Sequence, residues 1–157
     1  MSSPLHGLPR VPPPVNEPNL AYLTGSLERV VLKQRLETMA GERIEIPLII
    51  GGREIRTSRT AQAVMPHDHA HVLADWHMAD RSHVEAAVAA AAVARKEWAR
   101  WSLEDRAAVF LRAAELLTTG WRATLTAATM LGQSKTVFQA EIDAASELID
   151  FLRFNAH

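Results

Sequence analysis

The stretch TMLGQSKTVFQAEIDAASELIDFLRFN, Thr129–Asn155, decides how the rest of the chain is read. Val137, Ile142, Ala145, Leu148, Ile149 and Leu152 recur in it at helical spacing. Apolar residues spaced this way line one helix face and bury it. Glu141, Asp143, Glu147, Asp150 and Arg153 are assigned to the other face. Just upstream, Gly132-Gln133-Ser134-Lys135 interrupts the period, which predicts a turn between two helices. Periodicity alone thus gives an amphipathic helix entered from a glycine turn.

Three more helices are predicted upstream of that turn. Trp121 to Leu131 is a short one with Leu125, Ala128 and Leu131 inward. Before it, Val109, Phe110, Ala113, Ala114 and Leu117 follow a capping signature at Ser102-Leu103-Glu104-Asp105 and stop at Gly120. Asp80 to Arg100 begins at Asp80 or Ser82, with Ser82-x-x-Glu85 as a capping box. Its inward stripe is small: Val84, Ala87, Val88, Ala91 and Ala92. Trp98 and Trp101 are placed to cover its end.

The first half reads differently. Six of the eight prolines fall in residues 1–19 (Pro4, Pro9, Pro12, Pro13, Pro14 and Pro18), which predicts an extended arm. Ser26 to Met39 is a short helix, with Ser26 as cap and Gly41 as stop. Ile44–Ile50 and Glu54–Thr57 read as strands around a Gly51-Gly52 hairpin, with Pro47 marking an edge or strand start. Ala61–Met65 and His71–His77 add two more extended segments, giving a small antiparallel β unit. Four divisions follow: 1–25 as arm, 26–40 as helix, 41–78 as β unit and 79–157 as a helical layer.

Composition bounds the function. Apolar content of 48% and charged content of 22% are those of an ordinary globular domain. A net charge of −1 gives no reason to invoke nucleic acid or an anionic membrane. No run approaches the ~18 apolar residues of a membrane helix. The N-terminus shows neither a signal peptide nor a transit presequence, so the expected compartment is the cytoplasm. There is no cysteine, which removes disulfides, thiolate metal sites and a thiol nucleophile from this chain.

Few patterns carry chemistry. In a strand, His67, His69 and His71 share a face and could hold Zn²⁺. Pro66 and Asp68 favour a turn that scatters the rings, so no metal site is assigned. Lys135 after Gly132 lacks the first glycine of a phosphate loop, and no Gly-x-Gly-x-x-Gly occurs.

The residue string is more specific than its periodicity. Gly132-x-x-Lys135, then Gln139-Ala140-Glu141-Ile142-Asp143 and Glu147-Leu148-Ile149-Asp150-Phe151…Arg153-Phe154-Asn155, resembles the N-terminal third of L-glutamate γ-semialdehyde (1-pyrroline-5-carboxylate) dehydrogenases. These form a branch of the NAD-dependent aldehyde dehydrogenase superfamily. Asn16-Glu17-Pro18, Tyr22, Gly25-Ser26, Glu28-Arg29, Ile46–Gly52 and Pro66–His69 extend the resemblance over nearly the whole chain.

The resemblance implies the N-terminal segment of an α/β aldehyde dehydrogenase fold, mostly helical here with the small antiparallel β unit. It implies oxidation of L-glutamate 5-semialdehyde to L-glutamate with NAD in proline catabolism, and a homo-oligomer at full length. In the family the catalytic cysteine, the general base and the dinucleotide fold lie further along, so this chain alone is expected to be inactive. The family's pocket glutamate falls on Glu141, where a carboxylate can select the substrate's ammonium. Without the resemblance, Glu141 is a solvated helix acid. The alternative for the whole chain is a self-contained helical interaction module or a histidine metal-binding module.

Overall fold

A computed structural model describes residues 10–157, so the Pro4 and Pro9 portion of the expected arm lies outside the described residues. From residue 10 to Leu23 the chain has no helix or strand, as a proline-rich segment without regular N–H donors dictates. A turn at Gly25, with φ of 84°, leads into α1, Leu27–Gly41. Ser26 occupies the N-cap position without a side-chain cap bond.

The expected strand over Ile44–Ile50 is two strands, β1 (Ile44–Ile46) and β2 (Leu48–Ile50). Pro47 has no N–H to donate, and the chain changes pairing partner across it. β2 pairs antiparallel with β3, Arg53–Ile55, through Gly51 and Gly52 at φ of 58° and 75°. β4 (Thr60–Met65) and β5 (Asp68–His77) form a second antiparallel hairpin. β1 lies along the far edge of β5 and runs parallel to it, Ile44 opposite Ala74 and Ile46 opposite Trp76. β1 thus adds a parallel edge to the β4–β5 hairpin, a long-range pairing with no local sequence signal, while β2–β3 is a separate two-stranded sheet.

Asp80 caps α2, Arg81–Trp98, and the reciprocal partner is His83. The expected Ser82–Glu85 box does not form: Ser82 donates to Asp80, and Glu85 accepts from Arg81 at 2.7 Å. Ser82 and His83 together hold the Asp80 carboxyl down to about 2. Ser102 caps α3, Leu103–Thr118, by accepting from the Asp105 N–H. Trp98 meets Trp101 at 5.3 Å between ring centres and Phe110 edge-on at 6.3 Å, tying α2 to α3.

α4 spans Arg122–Gln133 and so contains Gly132. The residue that ends it in the left-handed region is Ser134, at φ of 54°. The final stretch begins as α5, Val137–Ala140, capped reciprocally by Thr136 and Gln139. It widens into a π-turn, Glu141–Ser146, and closes as α6, Glu147–Phe154. The i→i+5 bonds of a π-turn rotate everything after it relative to an α-helix. The inward residues become Ala140, Glu141, Ala145, Ser146 and Ile149, while Leu148 is 40% exposed.

α1 packs on α4, and α3 on α6. Tyr22, Leu32 and Ala127 form the core of the first contact, with Leu36, Met39 and Met130 around them. The α2 stripe is not buried: Val84 and Val88 lie in the open. Among the described residues no helix is long and apolar enough to cross a membrane.

Candidate functional site

Among the described residues the deepest ionisable group is Glu141, at 0% exposure. The sequence reading grouped it with the solvated acids, but Glu141 lies four residues from both Val137 and Ala145 and so shares their buried face. Its carboxylate is held from three sides. The Leu20 N–H donates to Oε1 at 2.8 Å, and the Tyr22 hydroxyl donates to Oε2 at 2.7 Å. Arg122 donates from Nε at 3.1 Å and from Nη2, both to Oε1. Oε1 thus meets three donors, while Oε2 has one short bond, from Tyr22, and a 3.4 Å contact from Arg122 Nε.

Arg122 binds a second acid. Its Nη1 donates to Glu17 Oε1 at 2.5 Å, and its Nη2 donates to the Pro18 carbonyl at 2.8 Å. Glu17 Oε2 is paired with Arg153 at 2.8 Å. Beside it, the Glu17 N–H and the Asn16 amide donate to the two oxygens of Asp150, each at 2.7 Å. The proline-rich arm is thereby tied to α4 and α6 by charged hydrogen bonds, which are about twice as strong as neutral ones.

The environment shifts two groups. Burial, then the hydrogen bond to Glu141 and its charge, push the Tyr22 phenol up to about 12. For Arg122, burial works against the charge. The bonds and charges of Glu141 and Glu17 outweigh it, and the guanidinium is held above its ordinary value. Tyr22 also has φ of 50°, in the left-handed region that costs a bulky residue on the order of 1–3 kcal/mol. A left-handed tyrosine and a π-turn thus meet at one carboxylate, and both deviations concentrate at functional sites.

Other sequence candidates go elsewhere. His67 bonds Ser134 Oγ at 2.7 Å, and His71 bonds the Ala40 carbonyl at 2.7 Å. Among the described residues no group of three His, Asp or Glu side chains is placed to hold a metal ion. Lys135 pairs with Asp143 at 2.5 Å. Nor do the described residues fit NAD. Their sheets have three strands and two, and no glycine-rich loop leads from a strand into a helix to cradle a pyrophosphate.

Sequence reasoning missed Arg122 and Arg153 as partners of this site. One local signal for Arg122 exists. It is the first residue of α4, with no side-chain cap before it, and a cation there opposes the helix dipole. The buried carboxylates of Glu17 and Glu141 compensate that placement.

Residues 55–157 match the model of the aldehyde dehydrogenase family. The chain belongs to the aldehyde dehydrogenase family. Over 141 residues it is 48% identical to the human mitochondrial delta-1-pyrroline-5-carboxylate dehydrogenase, covering 90% of this chain and 25% of that one. The corresponding Dictyostelium discoideum enzyme is 46% identical over 145 residues, 92% of this chain and 26% of that one. A solved structure of the Mycobacterium tuberculosis enzyme bound with NAD is 46% identical. It superposes with a TM-score of 0.93 over 97% of this chain and 29% of its own. This aldehyde dehydrogenase chain therefore spans about a quarter of the relatives it matches. The family match leaves the self-contained module reading without a supporting observation.

Proposed function

We propose that this chain is the N-terminal part of an NAD-dependent dehydrogenase that oxidises L-glutamate 5-semialdehyde, the open form of 1-pyrroline-5-carboxylate, to L-glutamate in proline catabolism. The observation that carries the reading is the identity of 46–48% to the Dictyostelium and human relatives over nine-tenths of this chain, with the Glu141 motif inside the matched region. The cofactor proposed is NAD, held by residues other than those described. When bound, it accepts the hydride from the aldehyde carbon. The full-length protein is proposed to be a cytoplasmic homo-oligomer, although several eukaryotic relatives carry mitochondrial names.

Within this reading Glu141 recognises the substrate's ammonium group. Oε1 already meets three protein donors, whereas the one short bond on Oε2 comes from Tyr22, so Oε2 is the oxygen that receives the ammonium. Tyr22 is a neutral donor, whereas Arg122 is a cation that forms an ion pair, so Tyr22 is the weaker hold.

Replacing Glu141 by Ala or Gln in the full-length enzyme tests this. A lost charged contact is worth roughly 1.5–3 kcal/mol, about ten- to a hundredfold in kcat/KM. An uncharged aldehyde of similar length is expected to change far less. Equal losses on the two substrates, or none, return Glu141 to a purely structural part.

A further inference from the structure

We propose that Arg122 is a positioning residue: its guanidinium fixes the Glu141 carboxylate against the N-terminal arm and so sets where the substrate's ammonium is received. The proposal rests on the reading of Glu141 given above.

Arg122 is the only cation on Glu141 among the described residues. Its side chain is 7% exposed, between Glu17 at 5% and Glu141 at 0%. One guanidinium therefore spans two buried acids that belong to different parts of the chain, Glu17 on the arm and Glu141 on the π-turn. The planar fork allows this: Nε and Nη2 face Glu141 while Nη1 faces Glu17. A lysine ammonium is a single point with no such fork. Two further donors to Glu141, the Leu20 N–H and the Tyr22 hydroxyl, also come from the arm. Arg122 bonds the arm at the Pro18 carbonyl, two residues from Leu20. The arm, the arginine and the π-turn form one closed set of bonds, in which the direction of the Glu141 oxygens depends on Arg122. Removing the cation leaves two buried carboxylates without their shared counter-charge, and they move apart toward water or other donors.

The test is made in the full-length dehydrogenase with Arg122→Met, Arg122→Lys and Glu141→Gln side by side. Each is assayed on glutamate semialdehyde and on an uncharged aldehyde of similar length. Arg122→Met is expected to raise KM for the ammonium-bearing substrate about tenfold while kcat moves less than about threefold. The uncharged aldehyde stays within about twofold, because its binding does not use Glu141. Arg122→Lys keeps the charge but not the fork, and is expected to fall between wild type and Arg122→Met. If Arg122→Met does not fold, Arg122→Lys carries the same comparison. Equal losses on both substrates in a folded variant, or no loss on either, overturn the proposal.

Glu141→Gln separates the two levels. If it discriminates between the substrates while the Arg122 variants do not, positioning fails and the Glu141 reading stands. If it does not discriminate, the Glu141 reading fails. The geometry is then judged by a crystal structure of Arg122→Lys: a carboxylate still bonded to both Leu20 and Tyr22 overturns positioning, and a displaced one supports it.

Discussion

Two helical stretches of equal length, α2 and the run from Val137 to Phe154, take opposite positions in this molecule. The second buries Ala140, Glu141, Ala145, Ser146 and Ile149 and is strapped by the arm. α2 buries nothing, although its alanine-valine stripe has the cleaner helical spacing. An apolar stripe therefore records which face is suited to burial, not whether a partner lies nearby. For α2 no partner for the stripe lies among the described residues. At Glu141, charged and hydrogen-bonding groups from four segments close on one another, so this corner needs nothing further to be satisfied.

The broadest way to break the comparison is to ask whether the closed corner can do chemistry alone. The 157-residue chain with NAD⁺ and glutamate semialdehyde is expected to give no NADH above a heat-killed control, because it has no thiol to attack the aldehyde. Turnover would show that the Glu141 corner is part of a complete site.

Next in size is stability. In the same chain, Arg122→Met is expected to lower the free energy of unfolding by about 3–5 kcal/mol, since it leaves Glu141 buried without a cation and Glu17 with Arg153 alone. Val88→Asp on the open face of α2 is expected to stay within about 0.5 kcal/mol. Urea midpoints measured together decide it. Similar losses for both would mean that α2 packs after all.

A subtler effect concerns the exposed stripe. A wet apolar face promotes self-association and dye binding. The isolated chain is expected to show both, with strong helix signal but weak near-ultraviolet tryptophan signal. Changing Val84 and Val88 together to Asp is expected to reduce association and dye binding while leaving the far-ultraviolet spectrum unchanged. A monodisperse monomer with a sharp melt in the unsubstituted chain would contradict this.

The smallest effect is in the titration of Tyr22, the chain's one tyrosine, so its phenolate absorbance is unambiguous. Its folded value is raised to about 12 from the ordinary 10.0. The unfolded chain thus releases this proton first, and the stabilisation is fully present below pH ~10 and is lost as pH rises toward ~12. Tyr22→Phe is expected to remove that slope and leave neutral pH stability slightly lower. A phenol that titrates at its ordinary value in the folded chain would mean that the bond to Glu141 is not kept in solution.

Much of the fold is legible in the amino-acid sequence. Helix starts at Ser102 and Asp80, the Gly51-Gly52 hairpin and the order of helices are all set by bonds between residues two to four apart, and such bonds leave local patterns. The exact box at Asp80 is not legible, because His83 and Glu85 both offer a side chain within reach of the cap. The motif around Glu141 points to the site through its resemblance to a family, and its spacing from Val137, Ala145 and Ile149 is that of the buried face.

Neighbouring residues are thus enough to dictate the set of elements, the lack of a thiol and the family motif, because each is written in short runs of the chain. Three features arise only on folding: the parallel contact of β1 with β5, the π-turn over Glu141–Ser146, and the convergence of Tyr22 and Arg122 on Glu141 with Glu17 beside them. Glu17 and Arg122 are 105 positions apart, and Tyr22 and Glu141 are 119 apart. No local pattern encodes such pairs, since their bond energies are realised only when packing has removed the water between them.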